Sequence, residues 1–289
     1  MRLVAPGKVV VLGEYAVLDG APAVVVAVDR GVRCTISPSD HLIIETPGSN
    51  DRFVRPALLA ARAPAARYLF EADRPADTSS KAGLGSSASA TVVATLAGMI
   101  NRGESPSPAD LHALGLQVHR AVQGSGSGID VAASAWGGVI RMERQGVTRL
   151  PTPAWTPAVV WSGQSAATGP RVERYRSWIE RRAFVQRSTE LVNAFVEDPI
   201  EVIREAGELL LHMAAKAGLD YQTPGLNRII ELANTHGGAA KASGAGGGDV
   251  AIALFADPAA QAIFCQACDS EGLTPIPCSI APGAHVEVT

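Results

Sequence analysis

The sequence predicts an α+β fold in two halves, on three grounds. Residues 1–50 are dominated by strand-like runs. Helical patterns follow, but they return to strands without the strict alternation of a barrel or a parallel nucleotide-binding sheet. Two runs of small residues, 81–90 and 241–250, each abut a regular element instead of forming a linker between domains.

The opening strands are residues 8–12, 23–28, 31–37 and 41–45, apolar and β-branched runs separated by Gly, Asp and Pro. A helical stretch spans 57–71, broken, if anywhere, at Pro64. The run Lys81-Ala82-Gly83-Leu84-Gly85-Ser86-Ser87-Ala88-Ser89-Ala90 then opens a helix whose apolar positions are Val92, Val93, Leu96 and Ile100. Ser107 and Pro108 form an N-cap and first-turn pair for a helix reaching Gln123. The loop Gly124-Ser125-Gly126-Ser127-Gly128 launches a short helix, 129–135, and 138–142 returns as a strand. The Pro-rich stretch 150–157 reads as a boundary, dividing the chain into 1–152 and 153–289. Beyond it come a strand (158–161), helices near 171–195, 200–217 and 225–235, the second glycine loop between two strands, a helix (257–271) and strands near 275–280 and 285–288.

Composition narrows the functional classes. The chain has 289 residues, 47% hydrophobic and 18% charged, which describes a globular protein with a large core. A net charge of −3 speaks against nucleic acid or an anionic membrane as partner. The N-terminus lacks a secretory pattern and no apolar run reaches membrane-spanning length, so a cytoplasmic protein is expected. Arginines in 171–187 alternate with acids and apolar residues as on a solvated helix face. Cys265 and Cys268 share a helix without a second CxxC or a cationic neighbour, so Cys34, Cys265, Cys268 and Cys278 read as structural thiols, with no disulfide expected.

The two glycine loops carry the chemistry. Seven of the ten residues in 241–250 are Gly, Ala or Ser, a backbone bare enough to curl around an anion with its N–H groups turned inward. In 83–89, glycines followed by hydroxyls at a helix start bring free N–H groups, the positive dipole end and Ser side chains together. Neither a Walker A loop nor the GxGxxG of dinucleotide folds is present, and phosphate is the ligand that both loops suit.

Three segments then stand in order: Ala5-Pro6-Gly7-Lys8 with Gly13-Glu14-Tyr15, the Gly83 to Ser89 loop, and Lys241-Ala242-Ser243-Gly244-Ala245-Gly246-Gly247-Gly248-Asp249. In wording and sequence they resemble the GHMP kinases, the small-molecule kinase superfamily that includes galactokinase and homoserine, mevalonate and phosphomevalonate kinases. The resemblance implies an N-terminal α/β domain with a left-handed βαβ crossover, a C-terminal ferredoxin-like domain, and ATP bound between them with Mg²⁺. His119-Arg120-Ala121-Val122-Gln123-Gly124 before Gly126-Ser127-Gly128-Ile129-Asp130-Val131-Ala132, the segment Ser165-Ala166-Ala167-Thr168 and the third motif are similar to the phosphomevalonate kinase branch. That branch implies transfer of phosphate from ATP to (R)-5-phosphomevalonate. Mevalonate or another small alcohol as acceptor is the alternative, and a silent ligand sensor a second one.

Residue by residue, the resemblance implies that Gly83, Leu84, Gly85, Ser86, Ser87, Ala88 and Ser89 bind ATP, with Ser87 or Ser86 reaching Mg²⁺. It makes Lys8 and Asp130 the catalytic pair, although an acid at a helix start also suits the dipole alone. Glu14, Tyr15, Ser127, Ser165, Thr168, Ser243, Gly244, Ala245 and Gly246 are candidate acceptor contacts, each also readable as a turn or bracing residue. Arg33, Arg120 and Arg141 compete for the acceptor's anionic groups, and His119 reads as a packed, hydrogen-bonded histidine. The family contains monomers and dimers, and no exposed apolar stripe chooses between them.

Overall fold

The fold was obtained as a computed structural model describing residues 1–73, 83–124 and 126–287. Lys81, Ala82, Ser125 and Val288, all invoked above, lie outside the described residues. In chain order the elements are β1 (Arg2–Leu12), β2 (Ala23–Ser37), β3 (Ile43–Glu45), α1 (Val54–Ala60), β4 (Arg67–Ala72), α2 (Ser86–Asn101), α3 (Pro108–Gln123), α4 (Ile129–Trp136), β5 (Val139–Glu143) and β6 (Gly146–Arg149). The second half continues with β7 (Ala158–Trp161), α5 (Thr168–Ser177), α6 (Arg182–Ala194), α7 (Pro199–Ala217), α8 (Pro224–Thr235), β8 (Ala239–Ala242), β9 (Val250–Leu254), α9 (Pro258–Ser270), β10 (Thr274–Ile276) and β11 (His285–Val286).

The strands form two sheets, giving the α+β class read from the sequence. The first runs β11-β1-β2-β4-β3, with β5 also paired to β2 and carrying β6. The second runs β10-β7-β9-β8, antiparallel throughout, with helices between its first and second strands and its third and fourth. That order is the ferredoxin-like arrangement. One core lies between the first sheet and α1 to α4, centred on Tyr68, Val92, Leu96 and Leu111. Another joins the halves, packing Val9, Val11, Val24 and Val26 against Val159, Ile203, Val250 and Ile252.

Three departures from the expected elements have local causes. The helix expected over 57–71 ends at Ala60, and Arg67–Ala72 is a strand. Pro64 stops the helix, and Tyr68 and Phe70 then point into the core with strand alternation. The strands expected at 23–28 and 31–37 are one, because β2 crosses β1 tightly where Gly31 sits and no side chain fits. The helix expected over 171–195 divides into α5 and α6. Trp178 turns in to pack on Tyr175 and Phe184, and the Arg181 guanidinium takes up the freed Arg176 and Trp178 carbonyls.

Candidate active site

A break in the β1–β2 register aims the lysine. Leu3 and Ala5 face α1 to α4, yet beyond the register shift between Ala5 and Gly7 it is Val10 that packs on α4, while Val9 and Val11 face the second half. β1 advances from Ala5 to Gly7 while β2 runs from Val28 to Val32, and across this break the alternation of β1 reverses and Lys8 turns toward the helices. Gly7 permits it: a Cβ there would lie 2.0 Å from the Arg30 carbonyl oxygen and 2.7 Å from that of Leu84. The Lys8 N–H donates to the Leu84 oxygen at 2.8 Å, and its ammonium donates to the Gly83 oxygen at 3.2 Å. Asp130 Oδ1 stands 3.8 Å from the same Nζ, an ion pair without a hydrogen bond. The lysine side chain is 8% exposed and the aspartate 36%, so the cation is desolvated and the carboxylate reaches solvent.

The phosphate loop ends at Gly85, which caps α2 in the left-handed region (φ 80°) and supplies no side-chain cap. The N–H groups of Ala88 and Ser89 are consumed by the Gly85 oxygen at 3.0 and 3.1 Å, and the Ser89 hydroxyl donates to the Pro6 oxygen at 2.7 Å. Ser86 and Ser87 are the hydroxyls left at the cleft. His119 Nε2 lies 3.3 Å from Ser87 Oγ, its ring stacked on Phe53 at 5.2 Å. Burial lowers the His119 pKa, with Asp130 opposing, so the ring is neutral at pH 7.

The third motif is held from behind. Ser243 Oγ accepts from the Val10 N–H at 2.8 Å, and Tyr15 Oη donates to the Ala245 oxygen at 2.6 Å. Lys241, fully buried, donates to Glu14 across the two halves. Burial lowers the Lys241 pKa, against the pull of Glu14. Gly246 lies on the Tyr221 ring and Gly247 on the Arg171 guanidinium, where any Cβ would collide.

These pieces enclose a cleft of about 830 Å³. Its walls include Lys8, Glu14, Tyr15, Gly83 to Ser87, Ser127, Asp130, Ser165, Thr168, Ser243, Gly244 and Ala245, so most of the residues expected at the site meet there. Ala88, Ser89 and Gly246 do not line it, for the packing reasons just given. Of the three candidate arginines only Arg120 does; Arg33 pairs with Asp73, and Arg141 with Glu143 and Asn193. Sequence reasoning missed Phe53, Arg171 and Asp249. The signal for Asp249 was present: an acid ends a run of three glycines.

The uncapped helix start, the positive-φ Gly85 and the lone ammonium beside it fit a polyphosphate tail. The family model described as GHMP kinases N terminal domain matches residues 57–138, and that for GHMP kinases C terminal matches 194–272. A phosphomevalonate kinase of Streptomyces sp. (strain CL190) is 31% identical over 355 residues, covering 94% of this chain and 95% of that protein. The chain is a GHMP kinase. Mevalonate kinases are also related to it; that of Aeropyrum pernix is 27% identical over 298 residues, 88% of each chain. The solved structure of Streptococcus pneumoniae phosphomevalonate kinase in complex with phosphomevalonate and AMPPNP shares the fold, with TM-score 0.83 at 22% identity over 97% of this GHMP kinase and 100% of that chain. Among the described residues no helix is long and apolar enough to cross a membrane.

Proposed function

We propose that this GHMP kinase transfers the γ-phosphoryl group of ATP to the phosphate of (R)-5-phosphomevalonate, forming the diphosphate. The observation that carries the reading is the Lys8 ammonium, buried between the phosphate-loop oxygen of Gly83 and the Asp130 carboxylate. Phosphoryl transfer is mostly charge neutralisation and alignment. A desolvated cation at the meeting point of donor and acceptor offsets repulsion between two phosphates.

The acceptor's chemistry sets the part played by Asp130. A phosphomonoester has a second pKa near ~6, so its attacking oxygen is already anionic at pH 7 and no base is required. Asp130 then orients Lys8. In this reading Ser127, Ser165 and Thr168, which line the cleft together with Arg120, contact the acceptor. Ser86 and Ser87 with their N–H groups receive the ATP phosphates. Mg²⁺ suits this site because it needs few protein ligands, and the Ser87 hydroxyl and Asp130 supply oxygen donors.

Mevalonate is the second reading, favoured by the mevalonate kinase relatives and by an Asp130 that is open enough to accept an alcohol's proton. ADP release decides between them when the purified protein, ATP and Mg²⁺ are given either acceptor. Turnover of phosphomevalonate alone is expected. Turnover of mevalonate alone would replace the proposal, and turnover of neither would refute both.

A further inference from the structure

Asp249 occupies a backbone position that favours glycine. Gly246, Gly247 and Gly248 take φ of 68°, 71° and 141°, and Asp249 follows at φ 57° with a side chain attached. A fourth glycine would relax that strain, so the carboxylate is retained against a conformational preference. Its contacts say what it is for. The Asp249 N–H donates to the Gln164 oxygen at 2.7 Å, and its carbonyl accepts from the Ser162 N–H at 2.9 Å. Oδ1 accepts from the Ala166 N–H at 3.1 Å. The other side of the residue lies against the phosphate loop: a Cβ on Gly83 would come within 2.6 Å of Asp249 Cβ.

The carboxylate therefore stands where three segments meet: the phosphate loop, the third motif and the 162–166 stretch. The charged groups acting on it, Lys8 and Arg171, are both cations. They screen a negative group that would otherwise oppose the phosphates bound beside it.

We infer that Asp249 is a positioning residue. Through Oδ1 and the Ala166 N–H it sets the distance between the Ser165–Thr168 wall and the phosphate loop, so that acceptor and donor are aligned on one brace. The inference rests on the proposed reading in which that wall binds the acceptor.

Two substitutions separate the possible roles. Asp249→Gly removes the carboxylate and relieves the positive φ, so its Tm is expected at or above that of the parent protein. Its kcat/KM for the acceptor should nonetheless fall about tenfold or more, because a misplacement of about 1 Å can cost about 10²-fold in rate, while KM for ATP changes less than about twofold. Asp249→Asn keeps an acceptor oxygen and tolerates the left-handed region, and should retain acceptor kinetics within about threefold. Hydrogen exchange at the Ala166 amide should quicken in Asp249→Gly and stay slow in Asp249→Asn. Parent-like acceptor kinetics in Asp249→Gly would overturn the inference, as would an Asn variant as impaired as the Gly one. If the parent protein phosphorylates no acceptor, the functional reading fails and the exchange rates still judge the brace.

Discussion

Lys8 and Asp130 are unequal partners. The lysine is buried and hydrogen-bonded to the phosphate loop, whereas the aspartate is partly solvated and 3.8 Å away. Lys8→Met should lower kcat by about 10²–10³, the usual range for removing one preorganised charge-stabilising donor, and Asp130→Asn by less. Steady-state rates on the acceptor test this, and an equal or larger collapse for Asp130→Asn would return the aspartate to a base. His119 makes a second prediction. Burial holds its pKa below the ordinary 6.5, so the folded state resists a proton that the unfolded chain accepts. Its contribution to stability is complete above 6.5 and is lost as pH falls through the lowered value. Urea midpoints should therefore decline from about pH 7 to 5, less steeply in His119→Gln; His112, also lowered by burial, preserves part of the slope. The Ser86–Ser87 pair was read from the glycine-rich helix start around it, and Lys8 and Asp130 from the resemblance of their motifs; the fold brings all four to one cleft. Arg171 was not legible, and for Asp249 the sequence carried only the glycine run before it, because the contacts of both are distant in sequence.

At the scale of elements, the loops depend on backbone conformations that particular glycines allow. Gly85 caps α2 at φ 80°, and a Cβ on it would press on the Lys8 stem at 3.1–3.2 Å. Gly85→Ala is expected to cost about 1–2 kcal/mol from the left-handed backbone alone and to displace Lys8. Thermal unfolding and KM for ATP would report the two effects separately. α3 shows how much local chemistry can specify: the N-cap and first-turn pair Ser107 and Pro108 stand where sequence reasoning placed them, and Ser107 and Asp110 close a capping box around that turn. The stretch 57–71 shows the opposite case. Its Leu and Ala content suits a helix, but Pro64 and the cross-strand pairing of 67–72 with β2 divide it between α1 and β4.

Across the whole molecule the halves are bound by a shared core, by the Val10 to Ser243 and Tyr15 to Ala245 bonds, and by the buried Glu14–Lys241 pair. Removing one member of such a pair strands the other charge, so Lys241→Met should lose about 3–5 kcal/mol in urea denaturation. Adding Glu14→Leu should recover most of that loss, since well-packed apolar residues replace a buried pair at little cost. We propose that the division at 152/153 marks two structural halves but one cooperative unit. β11 returns from the second half to pair with β1, and Val9 and Val11 pack against β7 and β9. Calorimetry should show a single transition; two resolved transitions would separate the halves.

Composition, periodicity and the glycine-rich motifs were enough for the fold class, most elements and the glycine turn that opens α2, because glycine content, capping residues and alternation act within a few neighbours along the chain. The direction in which Lys8 points was decided by a break in the β1–β2 register beside Gly7 that no local pattern announces. The burial of Ser89, the locking of the third motif by Arg171 and Tyr221, and the brace at Asp249 likewise came from packing between segments remote in sequence. Backbone preferences are short-ranged, whereas steric exclusion and the pairing of buried polar groups depend on whatever the folded chain brings alongside.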